Sequence, residues 1–315
     1  MVIFPVGECH SFLIEERSRK MSEFKTYHPI VNFTYFVLVI GFSCYFFNPV
    51  CLGISLCSAF LHYMMLRGRD KALKSLLYMI PMLVMTAVIN LIFNHQGITV
   101  ISYLPSGNPL TFEAVIYGIC ASLMLLSVIC HFSCYSKIMS SDKFIYLFGK
   151  IIPSMSLIIS MTLRFVPRFL RELKEISRAQ RCIGRDMGKG SLISRLKNGL
   201  SILSIMTTRA LENAVETADS MNARGYGVAG RTAYSIYTFE KRDRLALVAI
   251  LLLGGYTLLG AVMGWADFSF FPAIKSAELS PLSISVFVAY LLLSICPLII
   301  EIREVIRWKA LRSKI

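Results

Sequence analysis

The pattern of apolar and polar positions divides the chain into long apolar runs and one basic amphipathic stretch. Six apolar windows of 18 to 20 residues are long enough to cross a bilayer: 30–47, 49–66, 75–93, 113–131, 245–264 and 281–300. The pair Asn48-Pro49 breaks the first two windows into a tight hairpin. The pattern therefore predicts an all-α polytopic membrane protein with about six transmembrane helices.

The basic stretch, residues 150–227, contains two amphipathic helical patterns. Apolar residues recur every three or four positions in each, at Phe165, Phe169, Leu173 and Ile176 in the first and at Leu192, Leu196, Leu200, Leu203, Met206, Ala210, Ala214, Ala218 and Met221 in the second. Arginines cluster on the remaining face of the first pattern and lie off the apolar stripe of the second. We expect two long cytoplasmic helices, with Pro167 kinking or restarting the first.

Composition supports a membrane protein with a basic cytoplasmic side. Apolar residues make up 55% of the 315 residues, the mean hydropathy is +0.62 and the formal net charge is +14, which excludes a soluble domain. When loops are assigned to alternate sides, 32 of the 33 lysines and arginines fall on one side, against Lys275 alone. The positive-inside rule then places both termini and the basic stretch in the cytoplasm.

These boundaries predict four regions: an N-terminal cytoplasmic tail (1–29), transmembrane helices 1–4 (30–135), a cytoplasmic segment with the two amphipathic helices (136–242), and a C-terminal transmembrane hairpin with a basic tail (243–315). A seventh apolar run, 144–163, is either a further span or an interfacial segment; the charge distribution favours the second interpretation. We expect a turn-rich external connection at 94–112 and a second external loop from Phe268 to Pro281.

Each amphipathic pattern ends in small residues and arginine. The second ends with Ala223, Arg224 and Gly225, and a glycine there can adopt the left-handed conformation that terminates a helix. Arg224 is then expected at the exposed carboxyl end, where the helix dipole favours a cation. The first pattern ends Arg181-Cys182-Ile183-Gly184-Arg185.

These motifs resemble those of the transmembrane T-component (EcfT/CbiQ-like family) of energy-coupling factor transporters, a class of ABC importers. The matching motifs are Leu163-Arg164-Phe165-Val166-Pro167, Ala179-Gln180-Arg181, Ala218-Asp219-Ser220-Met221 and Ala223-Arg224-Gly225-Tyr226-Gly227 with Arg231-Thr232. The resemblance covers roughly residues 27–259. It implies a scaffold in a prokaryotic cytoplasmic membrane that transmits the ATP-driven motion of two ATPase subunits to a substrate-binding membrane protein, the S-component, for uptake of a vitamin or a transition-metal ion.

In that family, two coupling helices each end in an Ala-Arg-Gly motif whose arginine docks into a groove on one ATPase. The resemblance therefore assigns ATPase docking to Ala223, Arg224 and Gly225. The first motif departs from the pattern, because Cys182-Ile183-Gly184 replaces Ala-Arg-Gly. Since isoleucine cannot pair with a carboxylate, Arg181 and Arg185, beside Gly184, are the candidate substitutes. The final window, 281–300, lies beyond the family's usual pattern.

Other candidate chemistry is weaker. Gly184, Gly188, Lys189 and Ser191 suggest a phosphate-binding loop, but the spacing is one residue short and a helix precedes it instead of a strand. We therefore predict no ATPase, no catalytic residue and no cofactor in this chain. We interpret Cys130, His131 and Cys134 as core residues rather than metal ligands, and His28 as structural.

The alternatives are a conventional ABC permease subunit, a membrane-embedded enzyme and a basic surface that binds anionic lipid. A permease would carry one short coupling loop, and an enzyme would need an acid or metal cluster at depth. We expect lipid contact in addition to the protein partners, and no nucleic-acid partner.

Overall fold

The computed structural model describes residues 23–103, 109–149, 153–186, 188, 191–226, 237–276 and 280–312. Within these ranges the chain forms nine α-helices, one 3-10 turn (Glu23–Thr26) and four short strands. It divides into two compact units, one formed by Met1–Lys143 with Tyr237–Ile315 and the other by Phe144–Ile236. The predicted all-α class is confirmed.

The nine helices are α1 (Pro29–Tyr45), α2 (Pro49–Arg67), α3 (Arg69–Phe93), α4 (Phe112–Ile138), α5 (Ser141–Gly149), α6 (Pro153–Cys182), α7 (Leu192–Ala223), α8 (Lys241–Val262) and α9 (Pro281–Arg312). Five of them, α2, α3, α4, α8 and α9, are long and apolar enough to cross a membrane, with mean hydropathies of 1.6 to 2.4. Each overlaps one predicted window, and α9 extends 12 residues beyond its window 281–300. The protein is therefore a multi-pass membrane protein.

The sixth window, 30–47, corresponds to α1, which has only 17 residues. At 1.5 Å per residue this helix spans about 26 Å, less than the roughly 30 Å of a hydrocarbon core. It ends at Tyr45 because the next helix begins at Pro49, where the side chain of Asn48 accepts a hydrogen bond from the amide of Val50 at 3.0 Å. The predicted break at Asn48-Pro49 thus shortens the first helix.

The start of α1 is tied to the start of α8 through two polar residues. His28 Nδ1 accepts a hydrogen bond from the amide of Ile30 at 3.3 Å and so caps α1. The amide of His28 donates to Asp243 Oδ1 at 3.1 Å, and Asp243 Oδ2 accepts from the amide of Glu240 at 3.0 Å. His28 and Asp243 thereby join two helix starts that are 215 residues apart.

The core of the first unit combines buried aromatic rings with a hydroxyl network. Its largest buried side chains include Phe24, Tyr35, Phe36, Leu52 and Tyr290. Between them, Ser55 Oγ lies 2.6 Å from Ser43 Oγ, 2.6 Å from Ser127 Oγ and 3.2 Å from His131 Nε2. This network joins α1, α2 and α4, since buried hydroxyls in membrane bundles bond across helices.

Lys143, in the first turn of α5, is buried against the chain near residue 25. Its Nζ donates to the carbonyl oxygen of Lys25. When the Asn32 amide nitrogen faces the Phe24 carbonyl (3.0 Å), its oxygen accepts from Lys143 Nζ at 2.8 Å. The ammonium group therefore bridges the 3-10 turn and α1.

The connection at 94–112 contains more order than predicted. Strands β1 (Val100–Tyr103) and β2 (Pro109–Thr111) pair antiparallel, with residues 104–108 outside the described ranges. The run Val-Ile-Ser-Tyr has the β-branched and aromatic composition that favours a strand. The connection predicted to be turn-rich therefore also contains a short strand pair that was not predicted. The other loop holds the two-residue strands β3 (Phe268–Ser269) and β4 (Lys275–Ser276).

The second unit contains the helical hairpin of α6 and α7. Within the apolar run 144–163 the structure describes α5 as far as Gly149 and α6 from Pro153, and residues 150–152 lie outside the described ranges. Pro167 was predicted to kink or restart the helix, and it does not restart it, because α6 is one helix of 30 residues from Pro153 to Cys182. Both amphipathic patterns thus form the long helices that the sequence predicted.

Candidate functional site

The carboxyl end of α6 is closed by a left-handed glycine. Gly184 has a φ of +81°, a region in which L side chains are disfavoured. Its amide donates to the carbonyl oxygen of Arg181 at 3.0 Å, and the amide of Arg185 donates to the carbonyl oxygen of Gln180 at 2.9 Å. These two bonds and the glycine conformation define a Schellman motif.

The carboxyl end of α7 has the same construction. Gly225 has a φ of +73°. Its amide donates to the carbonyl oxygen of Asn222 at 3.0 Å, and the amide of Tyr226 donates to that of Met221 at 3.1 Å. The residue before the glycine, Arg224, ends the helix with its side chain exposed. The left-handed conformation predicted at Gly225 is therefore present.

Because both ends make the same two Schellman bonds, their residues can be matched. Gly184 corresponds to Gly225, so Ile183 occupies the position that Arg224 has in the second motif. By the same count, Arg181 corresponds to Asn222 and Arg185 to Tyr226. Neither predicted substitute lies at the helix-ending position. The side chain there is isoleucine, with 65% of its surface exposed.

The end of α6 carries an exposed ion pair and further exposed arginines. Arg181 Nε lies 3.2 Å from Asp186 Oδ1, and 61% of the Arg181 side chain is exposed. Arg178 and Arg185 are exposed beside it. An ion pair this exposed contributes little to stability, in the range of about 0–1 kcal/mol. A protein partner could therefore replace Asp186 at Arg181 with little loss.

The hairpin that carries these ends is joined by a thin interface. Ile176 of α6 and Ile202 of α7 are 5% and 2% exposed. Arg168 Nη2 donates to Asn213 Oδ1 at 3.0 Å across the hairpin, and Arg168 Nε pairs with Glu172 at 2.9 Å. These contacts fix the register of the two helices with few buried groups.

A second apolar face of α7 is exposed. The predicted stripe begins with Leu192, Leu196, Leu200 and Leu203, whose side chains are 58% to 75% exposed. Ile202 lies on a different face and is buried. The part of α7 near its start therefore buries one face and leaves a row of leucines exposed.

The two weaker sequence candidates are placed as follows. Cys130, His131 and Cys134 are buried in α4, and among the described residues no group of three or more His, Cys, Asp or Glu side chains could hold a metal ion. In the look-alike phosphate loop, Lys189 lies outside the described residues, and Gly184 follows a helix.

One buried pair was missed by the sequence reasoning. His62 Nε2 of α2 lies 3.9 Å from Glu301 Oε1 of α9, with both side chains at most 8% exposed. The two residues are far apart in the sequence, and Glu301 directly follows an apolar window. Only the packing of α2 against α9 brings them together, so no sequence signal could have paired them.

Comparisons with known proteins identify relatives of the chain. Similar proteins include the energy-coupling factor transporter transmembrane protein EcfT of Lactobacillus helveticus, 38% identical over 109 residues, which are 34% of this chain and 39% of that protein. EcfT 1 of Listeria monocytogenes is 39% identical over 33% of this chain and 40% of its own length. The aligned stretches thus span about two fifths of these curated relatives.

A sequence model of the CbiQ family, described as "Cobalt transport protein", matches residues 26–234. That stretch includes α1 to α7 and both helix ends, while α8 and α9 lie beyond it. The match covers more than half of the 315 residues and agrees with the family predicted from the motifs. The chain therefore belongs to the CbiQ family of membrane transport proteins.

Proposed function

We propose that the chain is the energy-coupling scaffold of an energy-coupling factor importer. Two cytoplasmic ATPases dock on the carboxyl ends of α6 and α7, and their ATP-driven motion is passed along the helices to a substrate-binding membrane subunit. That subunit releases a vitamin or a transition-metal ion inward. The similarity to EcfT proteins and to the CbiQ family supports this assignment.

The observation that carries the proposal is the repeated helix end. Two long helices finish in the same Schellman motif, and each presents its last side chain to solvent. Arg224 adds a cation at a helix end whose partial charge is negative, so this guanidinium is well placed to enter an acidic groove. A charge-assisted hydrogen bond of this kind contributes about 1.5–3 kcal/mol.

We assign the binding of the substrate-binding membrane subunit to the exposed leucine face of α7. Leu192, Leu196 and Leu200 expose most of their side chains on one side of a helix that also ends at Arg224. Exposed apolar rows of this kind mark interaction surfaces. A displacement of the helix end by an ATPase would move this face with it, because the helix is continuous from Leu192 to Ala223.

The basic side is assigned to the cytoplasm, where the ATPases hydrolyse ATP. This placement follows from the charge distribution of the loops. Anionic lipid headgroups then contact the arginines of α6 that the ATPases leave free.

The test is binding of the purified chain, in lipid nanodiscs, to each ABC-type ATPase purified from the same cell. Arg224→Glu should lower the affinity of one ATPase by more than about tenfold, since it removes a charge-assisted bond and adds repulsion. Arg209→Glu is the matched control, because Arg209 is also exposed on α7 but lies away from its end. It should bind like the wild type.

Two results would contradict the proposal. If no ATPase binds the wild-type chain, the scaffold function is wrong. If Arg209→Glu weakens binding as much as Arg224→Glu, the ATPase reads the overall charge of the segment, and the helix end is not a docking site.

A further inference from the structure

The equivalence of the two helix ends has a chemical consequence for the partners. An acidic groove that accepts a guanidinium must neutralise its carboxylates. If Ile183 entered the same groove, those carboxylates would be buried without a partner, which is strongly unfavourable. The groove that fits Arg224 is therefore a poor fit for the end of α6.

The surroundings of Ile183 indicate what would fit. Ile183 is 65% exposed, and the neighbouring Cys182 is an exposed free thiol. Both side chains are therefore exposed and apolar at the helix end, and we call these two residues the apolar tip. Arg181 and Arg185, one or two residues away, are exposed and carry positive charge around this tip.

Resting on the proposed function, we propose that the end of α6 docks through Ile183 into an apolar socket on one ATPase. Carboxylates at the rim of this socket face Arg181 and Arg185. The end of α7 docks through Arg224 into an acidic groove. The two docking surfaces on the ATPases therefore differ in chemistry, one apolar with an acidic rim and the other acidic.

The native thiol of Cys182 provides a local probe. In nanodiscs, its reaction with a water-soluble maleimide is measured with each purified ATPase in turn, and Cys182→Ser gives the background from other cysteines. We expect one ATPase to slow the labelling at least about tenfold. The other ATPase should leave the labelling unchanged, while its binding is lost in Arg224→Glu.

Substitution of Ile183 tests the chemistry of the socket. Ile183→Arg places a cation in an apolar pocket and should lower the affinity of the ATPase that protects Cys182 by about tenfold or more. Ile183→Leu should retain the wild-type affinity. Since the side chain is mostly exposed in the free chain, neither variant should alter folding, which size-exclusion chromatography in detergent checks.

The outcomes separate this inference from the proposed function. If Ile183→Arg binds as well as the wild type or better, the socket is acidic and the inference is overturned. It is also overturned if an ATPase binds in an Arg224-dependent manner and neither ATPase protects Cys182, since α6 then does not dock through its end. Absence of all ATPase binding to the wild type would overturn the proposed function itself.

Discussion

Gly225 provides a way to perturb the proposed docking end of α7 without changing its charge. With φ at +73°, it permits the two bonds that close the helix, from its own amide to Asn222 and from the amide of Tyr226 to Met221. An L-residue in this conformation costs about 1–2 kcal/mol. Gly225→Ala therefore favours other conformations at the end, and these point the preceding Arg224 elsewhere.

The expected loss of affinity follows from this cost. If the ATPase binds only the conformation in which residue 225 is left-handed, part of the binding free energy must offset the 1–2 kcal/mol cost of that conformation. The affinity then falls by a factor of about 5–30. Asparagine tolerates the left-handed region better, so Gly225→Asn should lose less. The affinities are measured by titrating the ATPase against each variant in nanodiscs.

Two glycines near the end of α6 provide comparisons, Gly184 inside the proposed docking end and Gly188 after it. At Gly184, φ is +81° and an added Cβ meets no heavy atom within 4 Å, so Gly184→Ala carries only the conformational cost. At Gly188 the added Cβ would lie at an ordinary 3.4 Å from Asp186 and the backbone is not left-handed, so Gly188→Ala should change little. Wild-type affinity for Gly225→Ala, or a larger loss for Gly225→Asn than for Gly225→Ala, would refute the reasoning.

Two further predictions concern the first unit. Burial and the nearby Lys25 ammonium lower the pKa of Lys143 to about 8. Above this pH the unfolded chain binds more protons than the folded one. The free energy of unfolding should therefore rise by up to about 3 kcal/mol between about pH 8 and 10.5. Lys143→Met should abolish this rise; an unchanged rise would contradict it. An added Cβ at Gly260 would overlap the side chain of Val286, so Gly260→Ala should destabilise the protein by about 1–3 kcal/mol in a detergent melt. At the control Gly255 there is open space, and equal effects of Gly255→Ala and Gly260→Ala would exclude this packing argument.

The helices could be predicted because their signals are local. Each apolar window is a run long enough to be recognised alone, and the glycines at 184 and 225 mark helix ends by their own conformational freedom. The short length of α1 follows from Asn48-Pro49, which the sequence also displays. The strand pair after α3 was not predicted, because it lies in a connection dominated by turn residues.

Pairings between distant residues could not be predicted. The bond from His28 to Asp243 and the approach of His62 to Glu301 depend on which helices pack together. The place of Ile183 is an intermediate case. The sequence already matches Cys182-Ile183-Gly184 to Ala-Arg-Gly and leaves the neighbouring arginines as possible substitutes. The hydrogen bonds of Gly184 and Arg185 then show that Ile183 ends the helix and that neither arginine takes its position.

The mechanical properties of the hairpin favour a coupling role. At 1.5 Å per residue, the 30 and 32 residues of α6 and α7 give two continuous rods of about 45–48 Å, and α6 is uninterrupted even at Pro167. Among the described residues of Phe144–Ile236, only Ile176 and Ile202 are buried. A rod transmits a push at its end over its whole length, and a thin interface opposes a change of crossing angle only weakly. Two ATPases that move the two ends relative to each other would therefore change the angle between the helices before they bent either one. The exposed leucine face near the start of α7 would then move, and with it the membrane subunit that we propose binds this face.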